Sequence, residues 1–266
     1  MDLDLASKVA LVTGGSKGIG KAVARQLAAE GATVAIAART EDTLRATATE
    51  LAEETGQRIL PIVADTANEA SIRSMVDHAH SELGRLDILV NSAAVPGGGG
   101  PPPVLDDITA EAFWDDINVK VLGYLRAAQA VAPHMRAQGW GRIINISGLA
   151  ARSAGSTIGS IRNVSVAAMT KNLANELGPH GINVTVVHPG MTYTERSPGM
   201  FQARAQAQDI SLEDAERLFA EGNFIRHLVT AEEVADVITF LASPRSISIN
   251  GDALAVGGGV GTSIHY

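Results

Sequence analysis

The chain has 266 residues, 45% of them hydrophobic and 19% charged, which suits one large α/β domain spanning 1–266. Its net charge of −8 leaves no basic footprint for nucleic acid, no apolar stretch approaches the roughly 20 residues that span a bilayer, and the acidic start Met1-Asp2-Leu3-Asp4 is unlike a secretory leader. The absence of cysteine removes disulfides, thiolate metal sites and cysteine nucleophiles, so no metal is expected and a cytoplasmic location is the default. In chain order, apolar runs predict strands at 9–13, 33–38, 58–63, 88–91, 142–147, 183–188 and 253–256. Between them, 18–29, 41–55, 68–83, 109–137, 161–178 and 231–242 read as helices. Strands alternating with helices imply a doubly wound, mostly parallel sheet with helices on both faces. The Pro- and Gly-rich stretch 96–103 reads as a flexible loop on the ligand side of that sheet. Residues 191–228 break the alternation, carry a polar helical segment near 211–221, and read as a lid over a substrate.

Thr13-Gly14-Gly15-Ser16-Lys17-Gly18-Ile19-Gly20 lies between the first strand and the first helix. Glycine permits the tight turn and lets a phosphate reach the backbone. The helix N-terminus adds unpaired N–H groups and a partial positive charge. Strand, Gly-rich turn and helix in this order point to a Rossmann-type dinucleotide site, with ligands at the carboxyl ends of the strands. A site for NAD(H) usually holds an acid at the end of the second strand, to bond the ribose 2′-hydroxyl. This chain reads Ala37-Ala38-Arg39-Thr40 there. Arg39, with Lys17 of the turn, suits a 2′-phosphate, so NADP(H) is expected ahead of NAD(H). The alternative is that both cations are simply solvated.

The glycines at 14, 18 and 20 have the TGxxxGxG spacing of the short-chain dehydrogenase/reductase family, and the resemblance runs the length of the chain. Asp65 matches the family's adenine-contacting aspartate, with a turn or cap role as the alternative. Asn91-Ser92-Ala93-Ala94 resembles its Asn-Asn-Ala-Gly motif. Pro189-Gly190, followed by Thr192 and Thr194, is similar to the Pro-Gly-x-x-x-Thr segment that wraps nicotinamide and diphosphate. The cofactor residues implied are thus Gly14, Ser16, Lys17, Gly18, Ile19, Gly20, Arg39, Asp65, Asn91, Ala93, Pro189, Gly190, Thr192 and Thr194. The resemblance also implies a homotetramer or dimer built through the long helices at 109–137 and 161–178, with core packing as the plain alternative for both.

Family chemistry is hydride transfer to or from a carbonyl carbon, with a tyrosine moving the proton and a lysine four residues on lowering its pKa. A serine bonds the substrate oxygen and a helix asparagine supports a water. Asn118 matches the asparagine, or is a helix residue bonded to backbone. Gly148 stands at the serine position, beside Ser147. Counting back from Thr170-Lys171 puts Gly159 at the tyrosine position and Asn163 at the lysine position. Gly159 has no side chain to carry a proton, and neutral Asn163 cannot depress a phenol's pKa. Ser147, Ser160, Arg162, His188 and Tyr193 are candidate stand-ins, although Arg162 is a poor proton donor and a packed His188 is the plainer reading.

These residues support two expectations. One is an atypical NADP(H)-dependent oxidoreductase acting on a small carbonyl or alcohol with a displaced proton donor. The other is a non-catalytic NADP(H)-binding sensor or assembly protein.

Overall fold

The computed structural model describes residues 1–95 and 102–262. Most of the Pro- and Gly-rich loop, residues 96–101, lies outside the described residues. Seven strands of these residues pair in the order β3-β2-β1-β4-β5-β6-β7. They are β1 (Val9–Thr13), β2 (Thr33–Ala38), β3 (Ile59–Val63), β4 (Ile88–Asn91), β5 (Gly141–Ile146), β6 (Ile182–Pro189) and β7 (Ala253–Val256). Every pairing is parallel. In β1, Ala10 and Val12 face one core while Val9 and Leu11 face the other, the period-2 alternation of a sheet buried on both sides.

One core is closed by α1 (Gly18–Ala29), α2 (Glu41–Thr55) and α9 (Ala231–Ala242). The other is closed by α3 (Glu69–Leu83), α5 (Gly123–Gln138) and α6 (Thr157–Leu177). The remaining helices are α4 (Ala110–Ile117), α7 (Ser197–Gln208) and α8 (Leu212–Ala220). No helix of the described residues is long and apolar enough to cross a membrane.

Three departures from the sequence reading bear on the site. The helix expected over 109–137 is interrupted by a π-helical turn, Asn118–Leu122, in which the Gly123 N–H reaches back to the Asn118 carbonyl. The turn's extra residue rotates α5 relative to α4 and re-aims the side chains of the turn. The helix expected from 161 begins at Thr157, because the Ser156 hydroxyl caps it by accepting from the Gly159 N–H at 3.1 Å. Between 191 and 228 there are two helices, not one: Pro198 sits in the first turn of α7, where its missing N–H costs nothing.

Candidate active site

The strand order reverses direction between β1 and β4, so their carboxyl ends open a crevice. A cleft of about 490 Å³ lies there. Its lining includes Gly14, Ser16, Lys17, Gly18 and Ile19 of the Gly-rich turn, Arg39 and Thr40 after β2, and Ser92 and Ala93 after β4. At Gly14 φ is +67°, and a Cβ would stand 2.8 Å from the Ala93 nitrogen. A Cβ at Gly20 would strike the Gly14 carbonyl oxygen. Only glycine allows both contacts, and together they bring the first turn of α1 against the β4 end.

Lys17, Arg39, Lys120 and Arg196 line this cleft against a single carboxylate, Glu195. A chain of net charge −8 thus presents a locally positive crevice. No side chain of α1 caps its own N-terminus. The Glu195 carboxylate does so from the segment after β6, accepting from the Gly18 N–H at 3.1 Å. A negative group therefore already stands where a helix N-terminus binds a phosphate. The turn, its glycines and this anion contact fit a dinucleotide's diphosphate, and the exposed Arg39 fits a further phosphate at the β2 end.

The far end of the cleft is lined by Val119, Lys120, Ile146 and Ser147. Ser147 is buried, and its hydroxyl donates to the Asn163 carbonyl at 3.1 Å, toward α6. Lys120, 4% exposed, donates to the Ser147 carbonyl at 3.1 Å. Burial pulls the Lys120 amine down to about 7, with the Arg162 charge adding to that and Asp116 opposing it. Asn163 is also buried, and a Cβ at Gly148 would come within 3.0 Å of its Nδ2. A Cβ at Gly159 would lie 2.8 Å from the Ser156 hydroxyl, so the helix cap fills the space a larger residue needs.

The other expected residues fall in different places. Asn118 is tied to the β3–α3 loop: its amide donates to the Ala67 carbonyl at 3.2 Å and its oxygen accepts from Arg126 at 2.8 Å. Asp65 makes the turn alternative, accepting from the Ala67 N–H at 3.0 Å, while Ala64 and Thr66 line the cleft beside it. Asn91 is buried and bonds Asn145 at 2.9 Å, a link from β4 to β5. Gly190 packs on Gly257, where a Cβ would meet Gly257 Cα at 2.9 Å, and it follows Pro189 at the end of β6. Thr192 donates to the Gly190 carbonyl at 3.1 Å. Thr194 lines the cleft.

Among the stand-ins, Arg162 is held by Asp116 of α4 through two contacts of 2.8 Å. Tyr193 pairs in a parallel bridge with Thr230 and leans on Phe201 at 6.2 Å between ring centres, away from the cleft lining. The Ser160 hydroxyl donates to the Ser153 carbonyl at 3.0 Å. His188 is buried and pulled down to about 4 by burial, with the Arg152 and Lys120 charges adding.

Lys120 and Glu195 escaped the sequence reading. A signal for Lys120 existed: it sits four residues before Tyr124 and seven before Ala127, on the spacing of the core-facing residues of α5, where a lysine is out of character. Glu195 carried none, since only the fold brings it to Gly18.

Residues 14–261 match the family model described as enoyl-(acyl carrier protein) reductase. The chain is 36% identical to the short-chain reductase protein NovJ of Streptomyces niveus over 253 residues, 94% of this chain and 93% of that one. The structure of L-sorbose reductase from Gluconobacter frateurii, complexed with NADPH and L-sorbose, superposes with a TM-score of 0.92 at 29% identity, covering 99% of this chain and 100% of that one. A short-chain dehydrogenase from Burkholderia cenocepacia in complex with NADP gives a TM-score of 0.81 at 36% identity, covering 96% and 98%. With the parallel sheet, the Gly-rich crevice and these relatives in agreement, the chain belongs to the short-chain dehydrogenase/reductase family of oxidoreductases.

Proposed function

We propose that the protein is an NADP(H)-dependent oxidoreductase acting on a small carbonyl or alcohol substrate, with a proton donor other than the family's tyrosine. The observation that carries this reading is the crevice at the β1–β4 switch point, lined by Arg39 after β2 and Lys17 of the Gly-rich turn, with no acid at the β2 end. Gly14, Ser16, Gly18, Ile19 and Gly20 would hold the diphosphate, with Ala93, Pro189, Gly190, Thr192 and Thr194 along the nicotinamide half. Asp65 and Asn91 would support this from their turn and strand positions. When bound, the dinucleotide supplies or accepts a hydride at a carbonyl or alcohol carbon. The solved complexes of relatives with NADPH and NADP support the choice of cofactor.

The tetrad positions Gly159 and Asn163 cannot move a proton, and Asn118 is committed to the Ala67 carbonyl. Ser147 remains beside the cleft, although its hydroxyl faces α6. Residues 191–228, with α7 and α8, form the lid in this reading, and the single unit spans 1–266. Ile161, Val164 and Ala168 form an exposed stripe on α6 that supports a homotetramer or dimer. A cytoplasmic location belongs to the same reading and rests on sequence alone.

A second reading, a non-catalytic NADP(H) sensor or assembly protein, is favoured by Gly159 and Asn163 at the positions that match the family's tyrosine and lysine. Fluorescence titration with NADPH and NADH, followed by a carbonyl panel in the same sample, separates the two. Tight NADPH binding with turnover supports the reductase. Tight binding with no turnover supports the sensor. Preference for NADH removes Arg39 and Lys17 as readers of a 2′-phosphate.

A further inference from the structure

We propose that the Lys120 ammonium is the proton donor of this site, replacing from the π-helical turn the group that the family carries on α6. The inference rests on the reductase reading above and names the donor that reading lacks.

Lys120 is buried, yet it lines the cleft, in contact with the Ser147 carbonyl. The Ser147 hydroxyl in turn donates to the Asn163 main-chain carbonyl, which links Lys120 through one residue to the α6 position that matches the family's lysine. An ammonium has three N–H donors, and among the described residues Lys120 bonds only the Ser147 carbonyl. Lys120 lines the cleft, so in this proposal its two remaining N–H groups are the donors that a substrate oxygen there would meet. Lys120 stands in the π-helical turn, which the Gly123 N–H closes onto the Asn118 carbonyl. Competing donors are spoken for. Arg162 is paired with Asp116, and Tyr124 is buried with its hydroxyl donating to the Ile146 carbonyl at 3.1 Å. Tyr193 and His188 do not line the cleft.

An amine near pKa 7 is matched to proton transfer at neutral pH, as a normal lysine is not. The charged and titratable groups that act on it are Arg162 of α6 and its partner Asp116 of α4, and His188 of β6. In the reductive direction an N–H bond of Lys120 breaks and an O–H bond forms on the carbonyl oxygen. The reduced dinucleotide, when bound, would supply the hydride that the carbonyl carbon gains. Alcohol, oxidised nicotinamide and neutral amine result, and the amine recovers a proton from water.

The test pairs nitrogen NMR of lysine-labelled protein with kinetics of K120M and K120R on diketones, ketoses and β-ketoesters. The Lys120 resonance, assigned by its loss in K120M, should titrate near neutrality, with a lower midpoint in the NADP⁺ complex than in the NADPH complex because oxidised nicotinamide is cationic. Equal midpoints in the two complexes overturn the proposal whatever the kinetics. Both variants should keep NADPH affinity within about threefold and lose turnover by about a hundredfold or more. Full turnover in K120M overturns the proposal and leaves the reductase reading intact. Full turnover in K120R makes Lys120 a mere positive charge and overturns it as well. A wild-type protein that turns over nothing removes the reductase reading, and the donor with it.

Discussion

At the Gly-rich end the cleft presents backbone N–H groups and exposed cations, whereas at the β5–α6 end it presents buried side chains already bonded to main-chain carbonyls. The first end tolerates little change in shape. A Cβ at Gly14 meets the Ala93 backbone, and backbone cannot rotate away. At the second end the space is already taken by side chains: a Cβ at Gly159 would meet the Ser156 hydroxyl and one at Gly148 the Asn163 amide. Cofactor recognition depends on where the main chain runs, so it survives substitution of many side chains. Proton transfer depends on one side chain and can pass to another, the role proposed above for Lys120.

The sharpest way to break this contrast is at Gly14. Gly14→Ala should lower NADPH affinity by about a hundredfold, because the turn must move away from Ala93 and a φ of +67° strains any other residue. Isothermal titration checks it, with melting to confirm a folded protein. Next comes the buried amine. The Lys120 pKa is lowered on folding, so the unfolded chain binds more protons between about 7 and the free-lysine value, and this group's penalty is full below 7 and fades as pH rises. K120M removes that penalty, so relative to wild type it should gain about 4 kcal/mol more stability at pH 6 than at pH 10 by denaturant unfolding. An equal difference at both pH values would show an ordinary, solvated lysine.

Arg39→Ala should lower NADPH affinity by about tenfold to a hundredfold and leave NADH affinity unchanged, since one charge-assisted bond to a phosphate is lost. Equal losses for both cofactors would place Arg39 away from the 2′-position. Glu195→Gln should raise NADPH affinity by about twofold to fivefold, because its carboxylate competes for the Gly18 N–H. Unchanged affinity would mean that the contact opens without cost. Ser156→Ala should cost about 1 kcal/mol by removing the cap on α6, with NADPH affinity untouched.

The sheet was legible because its strands are apolar runs of ordinary length between helical stretches. Val9–Thr13, Thr33–Ala38, Ile88–Asn91 and Ala253–Val256 lie where the apolar pattern places them. The π-helical turn at Asn118–Leu122 was not legible, since its residues continue a helical pattern and the extra residue is set by contact with the β3–α3 loop. A Cβ at Gly123 would press on the Thr66 carbonyl oxygen at 2.9 Å. The Gly-rich end of the cleft was readable because glycine spacing is itself the signal. Asp65 and Asn91 match cofactor motifs, yet their side chains are engaged in a turn and a strand-to-strand bond, partnerships that sequence does not display. Lys120 carried a signal only in its spacing with Tyr124 and Ala127; its contact with the Ser147 carbonyl after β5 is set by the fold.

One measurement bears most directly on the central claim: steady-state oxidation of NADPH by the purified protein across diketones, ketoses and β-ketoesters. Expected is saturable turnover of at least one carbonyl class, with NADPH preferred to NADH and the rate lost in K120M. A protein that binds NADPH tightly and oxidises none of it with any of them would contradict the reductase and favour the sensor.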